Sequence, residues 1–335
     1  MPDDSATRTA PPPPARSARP RPRRAALAGF AALLVVPLAG CGQGGAAATQ
    51  DAARPAATGA DTSAAPRAGS SPAAEVDRRL AALEKKYDAH LGVYAVDTGS
   101  GREVGRHADA RLSYNSTFKA LLAGAVLKRN GADGMDRVLR YGKGDLLENS
   151  PVSEKHVKDG MSLRALSDAA VRFSDNTAAN VLLKDLGGPK ALGALLREET
   201  GDRVSHVDRI EPDLSTWTPG EQRDTTTPRQ QAANLRAFVL GDVLGAKERT
   251  LLTGWLRANT TGDRTIRAGV PEGWVVGDKT GTGFHHGARD DIAVVWPPGR
   301  APLVVAIMSY RDAKDAEPDD RLIAEAASVV VDGLG

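Results

Sequence analysis

Three short groups of residues could do chemistry together. The first is Ser116-Thr117-Phe118-Lys119. It follows the polar run 112–115 and opens an apolar run from Ala120 to Leu127, so it reads as a loop entering a buried helix. Residues three apart on a helix share one face. A serine hydroxyl is a poor nucleophile until a neighbour takes its proton, and a desolvated lysine can do that. The plain alternative is a surface serine with a solvated lysine, since this spacing arises by chance about once in a chain of this length. The second group is Ser174-Asp175-Asn176, between helical patterns at 163–173 and 177–186. Short polar side chains in such a turn can point at one spot. They also cap helices, so Asp175 could hold the turn while Ser174 and Asn176 face outward. The third group is Lys279-Thr280-Gly281-Thr282-Gly283, after a short strand at 274–277. Alternating glycines suit an edge strand kept bare for another backbone, onto which an amide-bearing ligand could add as a strand. A tight turn is the alternative, and it leaves Lys279 without a role.

The elements that must position these groups are legible in outline. Val76, Leu80, Leu83 and Tyr87 recur at helical spacing behind Ser71-Pro72, a start signal. A strand at 91–96, a turn at 97–101 and a strand at 102–106 follow. From Ser116 to about Ala258 the pattern is mostly helical, with starts marked by Ser162, Pro189 and Pro228. Strands return at 274–277, 292–296 and 303–309, and a last helix covers about 319–331. Tight turns make consecutive strands antiparallel. Neither strand set is stable alone, so the two share a sheet. The expected fold class is α+β: one antiparallel sheet flanked by helices, with an inserted all-helical lobe.

The 335 residues are 41% hydrophobic and 26% charged, enough for a sizeable core. Residues 1–40 hold six arginines and two aspartates, a surplus of +4 in a chain whose total is +2. Beyond them the chain is slightly acidic, with no basic or aromatic concentration, which argues against nucleic acid as a partner. An apolar stretch from Ala25 to Gly40 is too short for a comfortable membrane span but fits a signal-peptide core. It ends Leu38-Ala39-Gly40-Cys41, which resembles a bacterial lipoprotein signal. The expectation is a signal peptide over 1–40 ending in a lipobox, lipidation of Cys41, a flexible linker over 41–72 and a folded body over 73–335. Localisation follows: an exported protein on the outer face of the cell membrane, with a released form left open. Arg23-Arg24 leaves the export route open as well. Cys41 is the one cysteine, and the six histidines show no metal-ligand spacing, so neither a metal nor a cofactor is expected. With no spare apolar segment, the body is expected to be a monomer.

S-x-x-K, S-D-N and K-T-G in this order resemble the signature of class A β-lactamases and penicillin-binding proteins. The resemblance covers about 73–335, and Ile210-Glu211-Pro212-Asp213-Leu214 is similar to the start of the class A Ω-loop. It implies a β-lactamase/transpeptidase-like fold and hydrolysis of penicillin-type β-lactams through a serine acyl-enzyme, giving antibiotic resistance. By this match Ser116 is the nucleophile, and Lys119, or Glu211 through a water, takes its proton. Ser174 relays a proton to the leaving nitrogen, and Glu211 is the deacylation base. Asn176 holds the substrate's side-chain amide. Lys279, Thr280, Gly281, Thr282 and Arg289 face its carboxylate, and the Ser116 and Thr282 N–H groups form the oxyanion hole. Arg209 and Asp224 match the ion pair that pins the loop. Two positions depart from the family: Ser215 replaces an asparagine that helps hold the deacylating water, and Asn149 stands where an aromatic is common. The resemblance leaves two rivals, a D-alanyl-D-alanine peptidase or transpeptidase, and a penicillin sensor that stays acylated.

Overall fold

The computed structural model describes residues 71–335. The expected signal peptide, the lipidated Cys41 and most of the linker lie outside the described residues. Helices are α1 (Pro72–Tyr87), α2 (Phe118–Asn130), α3 (Leu163–Arg172), α4 (Asn176–Leu186), α5 (Pro189–Thr200), α6 (Pro228–Val239), α7 (Ala246–Arg257) and α8 (Asp320–Leu334). Strands are β1 (His90–Asp97), β2 (Glu103–Arg106), β3 (Leu112–Ser113), β4 (Val138–Leu139), β5 (Met161–Ser162), β6 (Thr225–Thr226), β7 (Val275–Thr282), β8 (Arg289–Trp296) and β9 (Leu303–Tyr310).

Among the described residues, five strands form one antiparallel sheet in the order β2-β1-β9-β8-β7. The early and late strands therefore do share a sheet, with β1 against β9 at its centre. α1 begins one residue ahead of the expected body, because Ser71 Oγ accepts from the Ala74 N–H and Pro72 stands in the first turn. Its Val76–Leu80–Leu83 stripe packs with Ile323 and Val330 of α8 over one face of the sheet, against Val93, Ala95, Val305 and Ile307.

The other face, with Tyr94, Val96, Ala306 and Met308, packs on the helical lobe. α2 runs through that lobe and is buried continuously from Phe118 to Leu127. This explains its unbroken apolar run: a helix covered on all sides needs no polar face. Lys119 is carried into this interior, and its side chain is wholly buried.

Two strands are longer than their apolar runs. β7 continues through the Lys279-Thr280-Gly281 triplet, so the triplet is strand and not turn, and β7 lies at the sheet's edge. β8 begins at Arg289, where the apolar pattern begins only at Ile292; Arg289, Asp290 and Asp291 are charged residue types in buried strand positions.

Candidate active site

Ser116 sits in a single 3₁₀ turn, Asn115–Thr117, that feeds α2. Thr117 fixes the turn: its hydroxyl donates to Tyr114 O and accepts from Gln231 Nε2 at 2.9 Å. β3 pairs with β6 just ahead of it, and the Tyr114 N–H donates to Asp224 O. The turn bearing the serine is thereby joined to the far end of the loop that carries Glu211.

Ser116 Oγ donates to Glu211 Oε1 at 3.2 Å, and Lys119 Nζ lies 2.9 Å from the same oxygen. Lys119 also donates to Ser174 O at 2.8 Å, to Ser174 Oγ at 3.4 Å and to Asn176 Oδ1. One buried ammonium thus joins the helix, the Ser174 turn and the Glu211 loop. Burial pushes its pKa down, and the Glu211 carboxylate opposes that shift.

Asp175 does cap α4, accepting from the Ala178 N–H at 2.8 Å. It also accepts from the N–H groups of Val152 and Ser153 and from Ser153 Oγ, at 3.0, 2.9 and 2.7 Å. The cap therefore doubles as an anchor for the Asn149–Ser153 loop. Ser174 and Asn149 both hold left-handed backbone, each with φ +55°, a conformation rare outside glycine that a surrounding frame must enforce. Asn149 Nδ2 donates to Ser174 O at 3.1 Å. Asn176 lines the cavity, yet its side chain is already used: Oδ1 faces Lys119 and Nδ2 donates to Glu148 O at 3.1 Å.

The Glu211 loop is held at three points. Arg209 forms its ion pair with Asp224, which also accepts from the Asp208 and Arg209 N–H groups at 2.9 Å each and from the Tyr114 hydroxyl at 3.0 Å. Asn180 on α4 accepts from the Glu211 N–H at 3.0 Å and donates to Glu211 O at 2.8 Å. Ser215 Oγ donates to Glu211 Oε2 at 3.4 Å, and the Phe284 N–H donates to Ser215 O at 2.9 Å.

β7 and β8 form the opposite wall. Lys279 Nζ donates to Ser174 Oγ at 3.1 Å and to Thr280 O at 2.8 Å. Burial first, and then the Lys119 charge, push its pKa down to about 7. The Gly283 N–H donates to Ala288 O. Alternation along the strand then turns the Thr282 N–H to the open edge. Arg289 pairs with Thr282 in register, and its Nη1 donates to Thr282 Oγ1 at 2.8 Å and to Gly281 O at 3.1 Å; its Nε is held by Asp320 at 2.7 Å. Arg264 and Arg267 do not line the cavity. Arg267 is tied to Asp278, and Arg264 is exposed beside Asp320.

Between these walls lies a cavity of about 760 Å³. Ser116, Ser174, Asn176, Glu211, Thr280, Gly281, Thr282 and Arg289 line it, while Lys119 and Lys279 lie buried beneath. His285 and His286 do not line it. Phe284, 58% exposed, and Phe173 are aromatics that do line it. Sequence reasoning missed Asn180, Thr261 and Asp320. Asn180 had a signal, being four residues after Asn176 and so on its helical face. Thr261, whose hydroxyl is 2.6 Å from Thr280 Oγ1, and Asp320 had none. Among the described residues, no group of His, Cys, Asp or Glu is arranged to hold a metal ion. No described helix is long and apolar enough to cross a membrane.

Comparison with known proteins shows the family. The model of the beta-lactamase enzyme family matches residues 75–334. A beta-lactamase of Amycolatopsis lactamdurans is 55% identical over 268 residues, covering 80% of this chain and 88% of that protein. Beta-lactamase 1 of Streptomyces cacaoi is 50% identical over 327 residues, covering 93% and 98%. The crystal structure of a class A beta-lactamase from Clostridium kluyveri superposes with a TM-score of 0.76 at 44% identity, covering 77% of this chain and 98% of that one.

Proposed function

This chain belongs to the class A serine β-lactamases, and from that premise we propose how its own residues open and release a β-lactam. The activity is hydrolysis of the β-lactam ring through a serine acyl-enzyme, and its consequence is antibiotic resistance. The observation that carries the assignment of roles is the shared oxygen: Glu211 Oε1 meets both Ser116 Oγ and Lys119 Nζ.

In acylation, Ser116 Oγ bonds to the lactam carbonyl carbon and its proton passes to Glu211. Lys119, on the same oxygen, compensates the carboxylate's charge. The N–H groups of Ser116 and Thr282 receive the developing oxyanion, a contribution of about 3–4 kcal/mol in comparable sites. As the carbon–nitrogen bond breaks, Ser174 hands its proton to the nitrogen and is resupplied by Lys119, which in turn takes the proton held on Glu211 Oε1, so that Glu211 is again a carboxylate before deacylation. In deacylation, Glu211 takes a proton from water, the water oxygen bonds to the acyl carbon, and the proton returns to Ser116 Oγ as that bond breaks.

Lys279, Thr280, Thr282 and Arg289 receive the substrate carboxylate, with Asp320 holding the guanidinium in place. Asn176 acts first as an orienter of Lys119. It meets a substrate amide only by exchanging its bond to Glu148. The loop 210–228 serves as the Ω-loop that keeps Glu211 in reach of the acyl carbon.

The working body is 71–335, exported by the signal over 1–40, anchored by a lipid on Cys41 and monomeric. What supports this part is the Arg-rich start, the short apolar core and the lone cysteine at its end. Metabolic labelling with a radioactive fatty acid tests it. Label on the wild type and none on Cys41→Ser supports the anchor, and an unlabelled wild type removes it.

The roles are tested by mass spectrometry beside a penicillin hydrolysis assay. The wild type turns over many equivalents and returns to its free mass, whereas Glu211→Gln holds an acyl adduct on Ser116. An adduct that clears equally fast in the variant would take deacylation away from Glu211.

A further inference from the structure

Beside the Ser116 turn lies a buried pair that the mechanism above does not use. Asn115 directly precedes the nucleophile and holds left-handed backbone, φ +43°. Its Nδ2 donates to Asp290 Oδ2 on β8 at 2.7 Å and to Ser113 Oγ at 3.1 Å. Asn115 is fully buried and Asp290 nearly so. To meet, the two side chains pass over Gly281 of β7. A Cβ there would lie 3.0 Å from Asp290 Oδ2, 3.1 Å from Asn115 Cβ and 3.1 Å from Thr117 Cγ2. The glycine of the Lys279-Thr280-Gly281 triplet thus leaves room for this contact, which spans the edge strand to its neighbour.

We propose that the Asn115–Asp290 pair is a positioning device, with Asp290 held as the neutral acid, that fixes the turn carrying the Ser116 N–H against the strand carrying the Thr282 N–H. Asp290 acts through Asn115 and touches no substrate atom. The inference rests on the reading that these two N–H groups form the oxyanion hole.

Three observations support it. A charged carboxylate is strongly disfavoured in such a setting unless it is ion-paired, and Asp290's partner is an uncharged amide. Neither Asp290 Oδ1 nor Asn115 Oδ1 receives a hydrogen bond from the described residues. A proton on Asp290 supplies a donor to a pair otherwise over-supplied with acceptors. Burial pushes Asp290 up to about 8, against the opposing pull of the Asn115 hydrogen bond, the Arg289 charge and the Ser309 backbone. Its surroundings are Asn115 and Ser113 beside the serine, Arg289 on its own strand, Ser309 on β9 and Gly281 on the facing side of β7. The charged group that acts on it is Arg289, a cation that favours the anion and is itself held by Asp320; burial outweighs it.

Alignment of oxyanion donors affects the transition state more than the bound substrate, so the readout is a split between kcat and KM. Asp290→Ala is expected to lower kcat about tenfold to 10²-fold while KM moves less than about threefold. Asp290→Asn keeps an acceptor for Asn115 Nδ2, brings a donor of its own and carries no charge, so it is expected to restore kcat to within about threefold of wild type. A folded Asp290→Ala with wild-type kcat overturns the proposal, and so does an Asp290→Asn as impaired as Asp290→Ala. If the alanine variant does not fold, thermal midpoints of wild type and Asp290→Asn against pH decide. The native carboxyl keeps its proton to about pH 8, and the unfolded one releases it near pH ~4. The wild type therefore loses stability relative to Asp290→Asn as pH rises through that window. Parallel midpoint curves overturn the neutral-acid assignment. Failure of the wild type to hydrolyse penicillin would instead overturn the function on which the inference rests.

Discussion

Lys119 Nζ and Glu211 Oε1 are 2.9 Å apart, both side chains all but excluded from solvent. A buried ion pair of this kind gives little net stability, but removing either member leaves an uncompensated charge. The site therefore constrains its own tuning. Each group that touches the pair is also one that orients it: Ser116 on the carboxylate, Ser174 and Asn176 on the ammonium.

Lys279 makes substrate capture pH-dependent. Its pKa, lowered to about 7, means that it gains charge as pH falls through neutrality and loses it above. For a β-lactam bearing a carboxylate, kcat/KM, which reports the free enzyme, should decline several-fold between about pH 6 and pH 8 through this group. Lys279→Arg keeps its charge throughout, so whatever activity it retains should show a flatter profile over that range. The two profiles measured side by side decide the matter, and identical slopes would rule Lys279 out as the titrating group.

Asn180 holds the backbone on both sides of the Glu211 peptide unit. Asn180→Ala removes both bonds and leaves the Glu211 N–H and C=O without partners, at about 1–3 kcal/mol for each group left buried. The carboxylate then loses its fixed distance to the acyl carbon. Deacylation should slow about tenfold or more while acylation changes less, seen as a pre-steady-state burst followed by a slower steady rate. A uniform fall in both steps would mean that Asn180 supports the fold and not the placement of Glu211.

Asp224 closes the other end of the loop, gathering the Arg209 side chain, two backbone N–H groups and the Tyr114 hydroxyl. Asp224→Ala should destabilise the body by about 3–5 kcal/mol, the usual effect of breaking a buried pair. In a domain of this size that is a fall in melting midpoint on the order of 10 °C. Calorimetry measures it, and a shift within 2–3 °C of zero would show that the loop carries its own weight without this anchor.

How far the sequence could be read depends on what signal each residue left in it. The Ser116–Lys119 spacing was legible because it sits at the start of a buried apolar run. Asp175 was legible because Ser, Asp and Asn between two helices read as a cap. β8 runs beyond its apolar stretch because Arg289, Asp290 and Asp291, charged residue types that break the pattern, are all buried in strand positions. Gly281 suggested a strand kept bare for a ligand's backbone. In the structure the closest approach at that position comes from this chain's own Asn115, Thr117 and Asp290. Asp320 and Thr261 reach the site only through the tertiary fold, so no local pattern marks them.

Ser215 is the departure whose effect the geometry now defines. Its hydroxyl reaches Glu211 Oε2 at 3.4 Å, the outer limit of a hydrogen bond, while its carbonyl is already engaged by the Phe284 N–H. An asparagine there extends a donor and an acceptor one bond further into the cavity, toward the place where Glu211 must hold water. Ser215→Asn should therefore raise the deacylation rate several-fold and leave acylation nearly unchanged, since Ser116 meets the other carboxylate oxygen. Single-turnover measurement of both steps checks this. A variant that deacylates no faster would mean that the short hydroxyl already suffices and that deacylation is limited elsewhere, with Asn180 and the Lys119 ion pair the remaining constraints on the carboxylate.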